Sequence, residues 1–193
     1  MAVIAAVIAG IKTAGELASA IKDVTGIIPN APSELTQKHR WMTVTIFNQT
    51  QFRLVFKKSW YDTGGPWQAP TDVPKFSSVT FSVCNKDNSI LTGVTGGVTF
   101  TLQMPLEGGG YQDLDIGVGF ARPEVGTVKC SAIYTDDPEK AYNAVNSGTT
   151  SHTSNKFSGD DVHGKEVTIN FLTVASPGRE ASVTITQQIL STK

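Results

Sequence analysis

Residues Trp41–Phe47 read WMTVTIF. Four of these seven side chains are β-branched, and apolar residues alternate with hydroxyl-bearing ones. That is the pattern of a strand laid against a core. The same pattern recurs at Phe52–Phe56, Val79–Val83, Val98–Leu102, Ile116–Phe120, Val128–Tyr134, Glu166–Thr173 and Ala181–Ile189. Turn chemistry separates them: Asn48–Gln49, Asp62–Gly65, Asn85–Asn88, Gly108–Gly110, Asp136–Pro138 and Pro177–Gly178. Short strands between regular turns predict a mainly β protein, a β-sandwich or barrel. Gly148–Gly159 is rich in Ser, Thr and Asn and reads as a loop. Asp137–Val145 (DPEKAYNAV) carries a helix start, with Pro138 near the first helical position and Glu139 in the first turn, so a short helix is expected there.

Upstream of Trp41 the pattern is different. Residues 2–11, AVIAAVIAGI, hold no polar side chain. Val3, Val7, Ile11, Ala14, Ala18, Ile21, Val24 and Ile28 recur at three- and four-residue spacing, with Lys12, Glu16, Ser19 and Asp23 on the opposite side. This predicts an amphipathic helix over residues 2–28, ended by Pro29, Asn30 and Pro32. At roughly 25 residues it is about 38 Å long, against a bilayer core of about 30 Å. One copy crossing alone would pay at least about 2.5 kcal/mol per mid-bilayer charge, and a ring of copies around a wet channel would not. The plainer reading is a surface helix docked on the core. No Lys or Arg precedes the run, so a secretory signal is disfavoured. Residues 29–40, PNAPSELTQKHR, read as a polar hinge connector with no core to bury. The expected layout is one domain over 1–193, with the helix, the hinge and a β-sandwich body over 41–193.

Composition narrows the function. The chain has 193 residues, 39% hydrophobic and 17% charged, with sixteen Lys+Arg against seventeen Asp+Glu and a net charge of −1. No basic block suggests a nucleic-acid partner. Cys84 and Cys130 are too few for a disulfide scaffold and read as buried thiols or a single bridge. His39, His152 and His163 form no metal-binding pair, and there is no CxxC, P-loop or GxSxG. Asp113 and Asp115 read as a solvent-facing strand surface, Asp136–Asp137 as a helix cap, and Asp160–Asp161 lacks further calcium ligands. Asn48-Gln49-Thr50 is a glycosylation sequon, relevant if the chain is secreted. No catalytic site, metal or cofactor is therefore expected. What remains is recognition. Trp60, Tyr61 and Trp67 crowd a Gly/Pro loop, KSWYDTGGPW, and either pack beneath it or present flat faces to headgroups or sugars. Tyr142 on the short helix is a further candidate.

These pieces together resemble the actinoporins, the α-pore-forming cytolysins of sea anemones, and their relatives. SWYDTG at Ser59–Gly64 resembles the family's aromatic-Arg-Ser-Gly loop, TGVTGGV at Thr92–Val98 its Thr-Gly…Gly-Val strand, and FARP at Phe120–Pro123 its Phe-Ser-Val-Pro. Ile133–Tyr134 matches the Ile-Tyr closing that loop, and Ser158-Gly159-Asp160 stands where anemone members carry Arg-Gly-Asp. GKEV at Gly164–Val167 and PGREA at Pro177–Ala181 match the last two strands. The resemblance implies a compact β-sandwich flanked by a long N-terminal and a short second helix. It implies a soluble monomer that binds membrane lipid, oligomerises there and inserts its first helix, with Lys12, Glu16, Ser19 and Asp23 lining the pore. Its headgroup and membrane-facing positions fall on Trp60, Tyr61, Thr63, Trp67, Thr95, Ala121, Pro123 and Tyr142. The family's aromatic loop is here EVGTVKCS over Glu124–Ser131. Asp62, Thr63 and Ala121 replace its Arg and two Ser, and Asn146 and Ser147 replace two tyrosines. A choline cage is worth about 0.5–2 kcal/mol per aromatic contact, so sphingomyelin specificity is not carried over. The alternative is a glycan- or lipid-binding module like the fungal fruit-body lectins, without pore activity. A structural or stress protein using the same fold inside a cell is a third reading. The chain is expected to be soluble, secreted or released and then membrane-bound, or stored in the cytoplasm.

Overall fold

The computed structural model describes residues 7–22, 24, 26–86 and 92–192. The chain begins with a strand β1 (Ile8–Ile11), a helix α1 (Ala14–Ile21) and a one-turn helix α2 (Ser33–Thr36). There follow β2 (Trp41–Gln49), β3 (Arg53–Thr63), β4 (Gly65–Gln68), β5 (Ser77–Cys84), β6 (Val94–Pro105) and β7 (Tyr111–Arg122). The last part holds β8 (Lys129–Ile133), α3 (Pro138–Asn143), β9 (Thr150–Thr153), β10 (Phe157–Asp161), β11 (Glu166–Ser176) and β12 (Glu180–Thr192).

The strands make two sheets. The larger runs β1-β10-β11-β12-β2-β5-β4, with β9 also pairing β11, and the smaller runs β3-β6-β7-β8. Met42, Val44 and Ile46 alternate along β2, as do Val98, Phe100 and Leu102 along β6, and all are buried in one core with Phe81, Phe120, Phe171 and Ile185. The period-2 pattern places these side chains on one face of each strand, and stacking the two sheets removes both faces from water. The protein is mainly β and sandwich-like.

The strand pattern around WMTVTIF therefore holds, but four expectations need correcting. The single amphipathic helix over 2–28 is not present in the described residues; residues 2–6, 23 and 25 lie outside them. Ile8–Ile11 is a strand, parallel to β10, with Ile8 and Ile11 at 1% and 0% exposure in the inter-sheet core. Gly10 takes φ +62°, a left-handed value outside the helix range. The helix starts only at Ala14, where Thr13 and Glu16 form a capping box: the Thr13 N–H and Oγ donate to Glu16 Oε2 at 2.9 and 2.8 Å, and Thr13 Oγ accepts from the Glu16 N–H. The predicted hinge does bury a side chain, since Leu35 of α2 is fully buried. The expected loop at Gly148–Gly159 contains β9 and the start of β10, both held by β11. KSWYDTGGPW is mostly strand, because β3 continues to Thr63 against the Gly-rich start of β6.

The sequon is also structural. Asn48 is buried; its amide donates to the Phe52 and Pro74 carbonyls at 2.7 and 2.9 Å and its Oδ1 accepts from Thr50 Oγ at 2.8 Å. Neither cysteine is bridged.

Candidate functional site: the cavity between the short helix and the smaller sheet

The site is built on glycine. In β6 and β7, Gly97 pairs directly with Gly119. A Cβ on Gly97 would lie 2.0 Å from the Pro138 carbonyl oxygen, and one on Gly119 2.0 Å from that of Ala141. Only a bare backbone lets α3 lie this close to the sheet. The helix is fixed at its start by Asp137, whose Oδ1 accepts from the Glu139 N–H at 3.0 Å, with Pro138 in the first turn. Its far end is held by the Ser131 hydroxyl of β8, which donates to the Ala141 carbonyl at 2.9 Å.

This close docking sets Tyr142 against Trp60 of β3, with ring centroids 5.3 Å apart at 39°. A bulge completes the arrangement. Tyr61 pairs with Gly96 but Thr63 with Thr95, so Asp62 is an extra residue on β3. Trp60 and Thr63 would otherwise point to opposite faces; the bulge brings both to the face under α3. There the Thr63 and Thr95 hydroxyls share a hydrogen bond of 2.9 Å, and the Thr95 hydroxyl lies 3.1 Å from Asp62 Oδ2.

Between these elements is a cavity of about 280 Å³ lined by Thr95, Ala121, Pro123, Lys129, Tyr142, Asn143 and Val145. Of the eight residues expected at a headgroup site, Thr95, Ala121, Pro123 and Tyr142 line it, and Trp60 and Thr63 adjoin it through Tyr142 and Thr95. The remaining two are elsewhere. Tyr61 turns its ring to Phe120 of the core at 6.2 Å, and burial pushes its hydroxyl above the ordinary tyrosine value. Trp67 is on β4 of the larger sheet, 42% exposed, beneath the Lys38 ammonium at 5.3 Å from the ring centroid. Lys129 was not anticipated. Its signal was in the sequence, as the one cation of EVGTVKCS in the loop that replaces the aromatic one.

The chain matches no family model and no curated protein. Among solved structures it is similar to the crystal structure of the lipid binding protein Nakanori, at 10% identity and a TM-score of 0.47 over 77% of this chain and 70% of that one. A likeness at that level carries nothing about what this chain binds.

The four expected pore-lining positions do not form one helical stripe. Lys12 precedes α1, its N–H donating to Gln51 Oε1 at 2.7 Å. Glu16 is occupied in the capping box, Ser19 is exposed on α1, and Asp23 lies outside the described residues. Gln51 also donates to the Gly10 carbonyl at 2.9 Å and accepts from Gln187 Nε2 at 3.1 Å, tying β1 to the sandwich. Among the described residues no helix is long and apolar enough to cross a membrane, and no group of three or more His, Cys, Asp or Glu side chains gathers to hold a metal.

Proposed function

We propose that this chain binds a membrane-lipid headgroup in the cavity under α3. The observation that carries the reading is the convergence of Thr95, Ala121, Pro123, Lys129 and Tyr142, from four separate stretches of sequence, around one cavity with the Trp60 ring against Tyr142. The chemistry suits a phosphate-bearing headgroup. The Lys129 ammonium supplies the charge, and the Trp60–Tyr142 pair an amphipathic aromatic wall of the kind that settles at a bilayer interface. No catalytic step belongs to this proposal.

The test is co-sedimentation with phosphatidylcholine vesicles. Lys129→Gln should weaken binding about 12- to 160-fold, the scale of a lost charge-assisted hydrogen bond of about 1.5–3 kcal/mol, and Tyr142→Ala about 2- to 12-fold, the scale of an aromatic contact of about 0.5–1.5 kcal/mol. Unchanged binding in both would refute the site. Glycan-array binding by a protein that ignores vesicles would move the reading to a lectin-like module.

A second reading adds pore formation, with oligomers forming on the membrane and residues 1–28 inserting. It is favoured by the slight anchoring of α1, where Leu17 is the one buried side chain. It requires β1 to leave β10. Exposing Ile8 and Ile11 costs about 1.5–3 kcal/mol each, together with the Gln51 hydrogen bonds, and lipid burial must offset that. Dye release from vesicles tests it, and deletion of residues 1–28 should abolish release.

A further inference from the structure

Three arginines meet at the same end of the sandwich as the cavity. Arg40 immediately precedes β2, Arg122 ends β7, and Arg179 lies in the turn between β11 and β12. The Arg122 and Arg179 guanidinium carbons both lie over the indole of Trp41, at 5.7 and 5.2 Å from its ring centroid. Arg122 also donates to the Trp41 carbonyl at 2.5 Å, and Arg40 to the Glu124 carbonyl at 3.3 Å. Desolvation chiefly, and then the nearby positive charges of Arg179 and Arg40, lower the Arg122 pKa from its ordinary value. Among the described residues no carboxylate forms an ion pair with any of the three. Of the acidic residues next to them in sequence, Glu180 accepts from the Ala31 N–H at 3.2 Å, and Glu124 offers Arg40 its backbone oxygen.

Among the described residues these three guanidinium groups have no ion-pair partner, so their like charges repel one another, and an anion would relieve that. The place of the cluster says which anion. Arg122 is followed at once by Pro123, which lines the cavity, and then by Val125, 86% exposed in the same loop. Strand alternation puts Ala121 on the cavity side of β7 and Arg122 on the other. An exposed apolar side chain thus follows, in one loop, the Arg122 of the cationic cluster and the Pro123 of the headgroup cavity. That combination fits a surface with phosphates above and hydrocarbon below.

We propose that Arg40, Arg122 and Arg179 around Trp41 form an anionic-phospholipid docking patch, separate from the cavity, which gives the protein a preference for negatively charged bilayers. The proposal rests on the membrane reading above, but its test fails separately. The chain's net charge of −1 conceals this local excess.

Binding is measured to vesicles of phosphatidylcholine alone and of phosphatidylcholine with phosphatidylserine. Each basic side chain near an anionic surface contributes about fivefold, so the Arg40→Gln/Arg179→Gln protein should lose about 25- to 30-fold on the phosphatidylserine vesicles and little on phosphatidylcholine. Arg179→Lys should restore the preference relative to Arg179→Gln, because the charge rather than the stacking is required. Tyr142→Ala should weaken both vesicle types equally, and if it weakens neither while the arginine result holds, the cavity reading fails and the patch stands. Equal binding of the unaltered protein to the two vesicles, or a phosphatidylserine preference that survives the double substitution in a folded protein, overturns the proposal. So does inorganic phosphate competing at sub-millimolar concentration, which would assign the cluster to a soluble anion.

Discussion

Replacing Gly119 by Ala tests the construction of the site in one methyl group. The added Cβ would stand 2.0 Å from the Ala141 carbonyl oxygen, 2.5 Å from its carbon and 2.9 Å from the Tyr142 nitrogen. Both sides are backbone, so no rotamer change relieves the clash, and contacts below 3.0 Å are not tolerated. The helix must retreat by about 1 Å, a gap that forfeits a quarter to a half of each facing dispersion contact. The retreat also pulls the Ala141 carbonyl from the Ser131 hydroxyl. Overpacking of this kind costs about 1–3 kcal/mol. For a chain of this size each kcal/mol lowers the melting temperature by about 2–4 °C, so a fall of roughly 2–12 °C is expected. Tyr142 follows Ala141 directly and moves with it, away from Trp60. The assay is thermal unfolding together with indole emission and vesicle binding. Gly97→Ala should act alike, through Pro138. Gly15→Ala and Gly108→Ala, whose added methyl groups meet nothing within 4 Å, serve as controls, and the first should stabilise α1 by about 0.5–1 kcal/mol. A Gly119→Ala protein with unaltered melting temperature, emission and binding would refute the account of how α3 positions the site.

Asn48→Ala should destabilise the fold by roughly 1–3 kcal/mol in denaturant titration, since it removes the buried amide that ties the Phe52 and Pro74 carbonyls to Thr50, and the folded protein secreted from a glycosylating host should carry no glycan at Asn48. Ellman's reagent should modify the half-buried Cys84 first and reach Cys130 only on unfolding, because burial pushes the Cys130 thiol up to about 12. Carboxyl titration by NMR should place Glu16 below 4.5, held there first by the Thr13 backbone N–H, and Asp161 below 3.8, held first by the Lys165 N–H. Both pKa values are lowered in the fold, so their stabilisation is complete above the ordinary values and is lost as pH falls through the folded ones. The Thr13 and Lys165 amide shifts should change with the same midpoints, and midpoints at or above the ordinary values would contradict the capping box and the β10–β11 turn.

The eight strands with clear alternation were legible because their period of two is imposed by a core on one face, and the start of α3 because DPE names its own cap. The N-terminal segment misled for a physical reason. Ile8 and Ile11 are three apart, a spacing equally suited to a helix face and, with Gly10 at positive φ, to an edge strand delivering both side chains to one core. A helical stripe records which side chains want burial and leaves open what will bury them. Thr13-Ala14-Gly15-Glu16 was the local signal against a continuous helix, a capping box in the middle of the run. β9 (TSHT) and β10 (FSGDD) were invisible because Ser, Thr, Gly and Asp carry no apolar alternation and take strand geometry here through the hydrogen bonds that β11 supplies.

The candidate site divides in the same way. The sequence by itself pointed to Trp60, Tyr61, Trp67 and Tyr142, the resemblance to a known family added Thr63, Thr95, Ala121 and Pro123, and the sequence carried the glycines that let a helix approach a sheet. Only the tertiary structure decided that Asp62 is bulged out, so that Trp60 and Thr63 share a face, that Tyr61 turns inward, and that Lys129 joins the cavity. Only the tertiary structure also gathers Arg40, Arg122 and Arg179, which lie far apart along the chain, around Trp41. Local sequence sets the period and the caps. The facing of side chains across sheets, and the charge that collects at one end, depend on register and pairing between distant segments, which no local pattern contains.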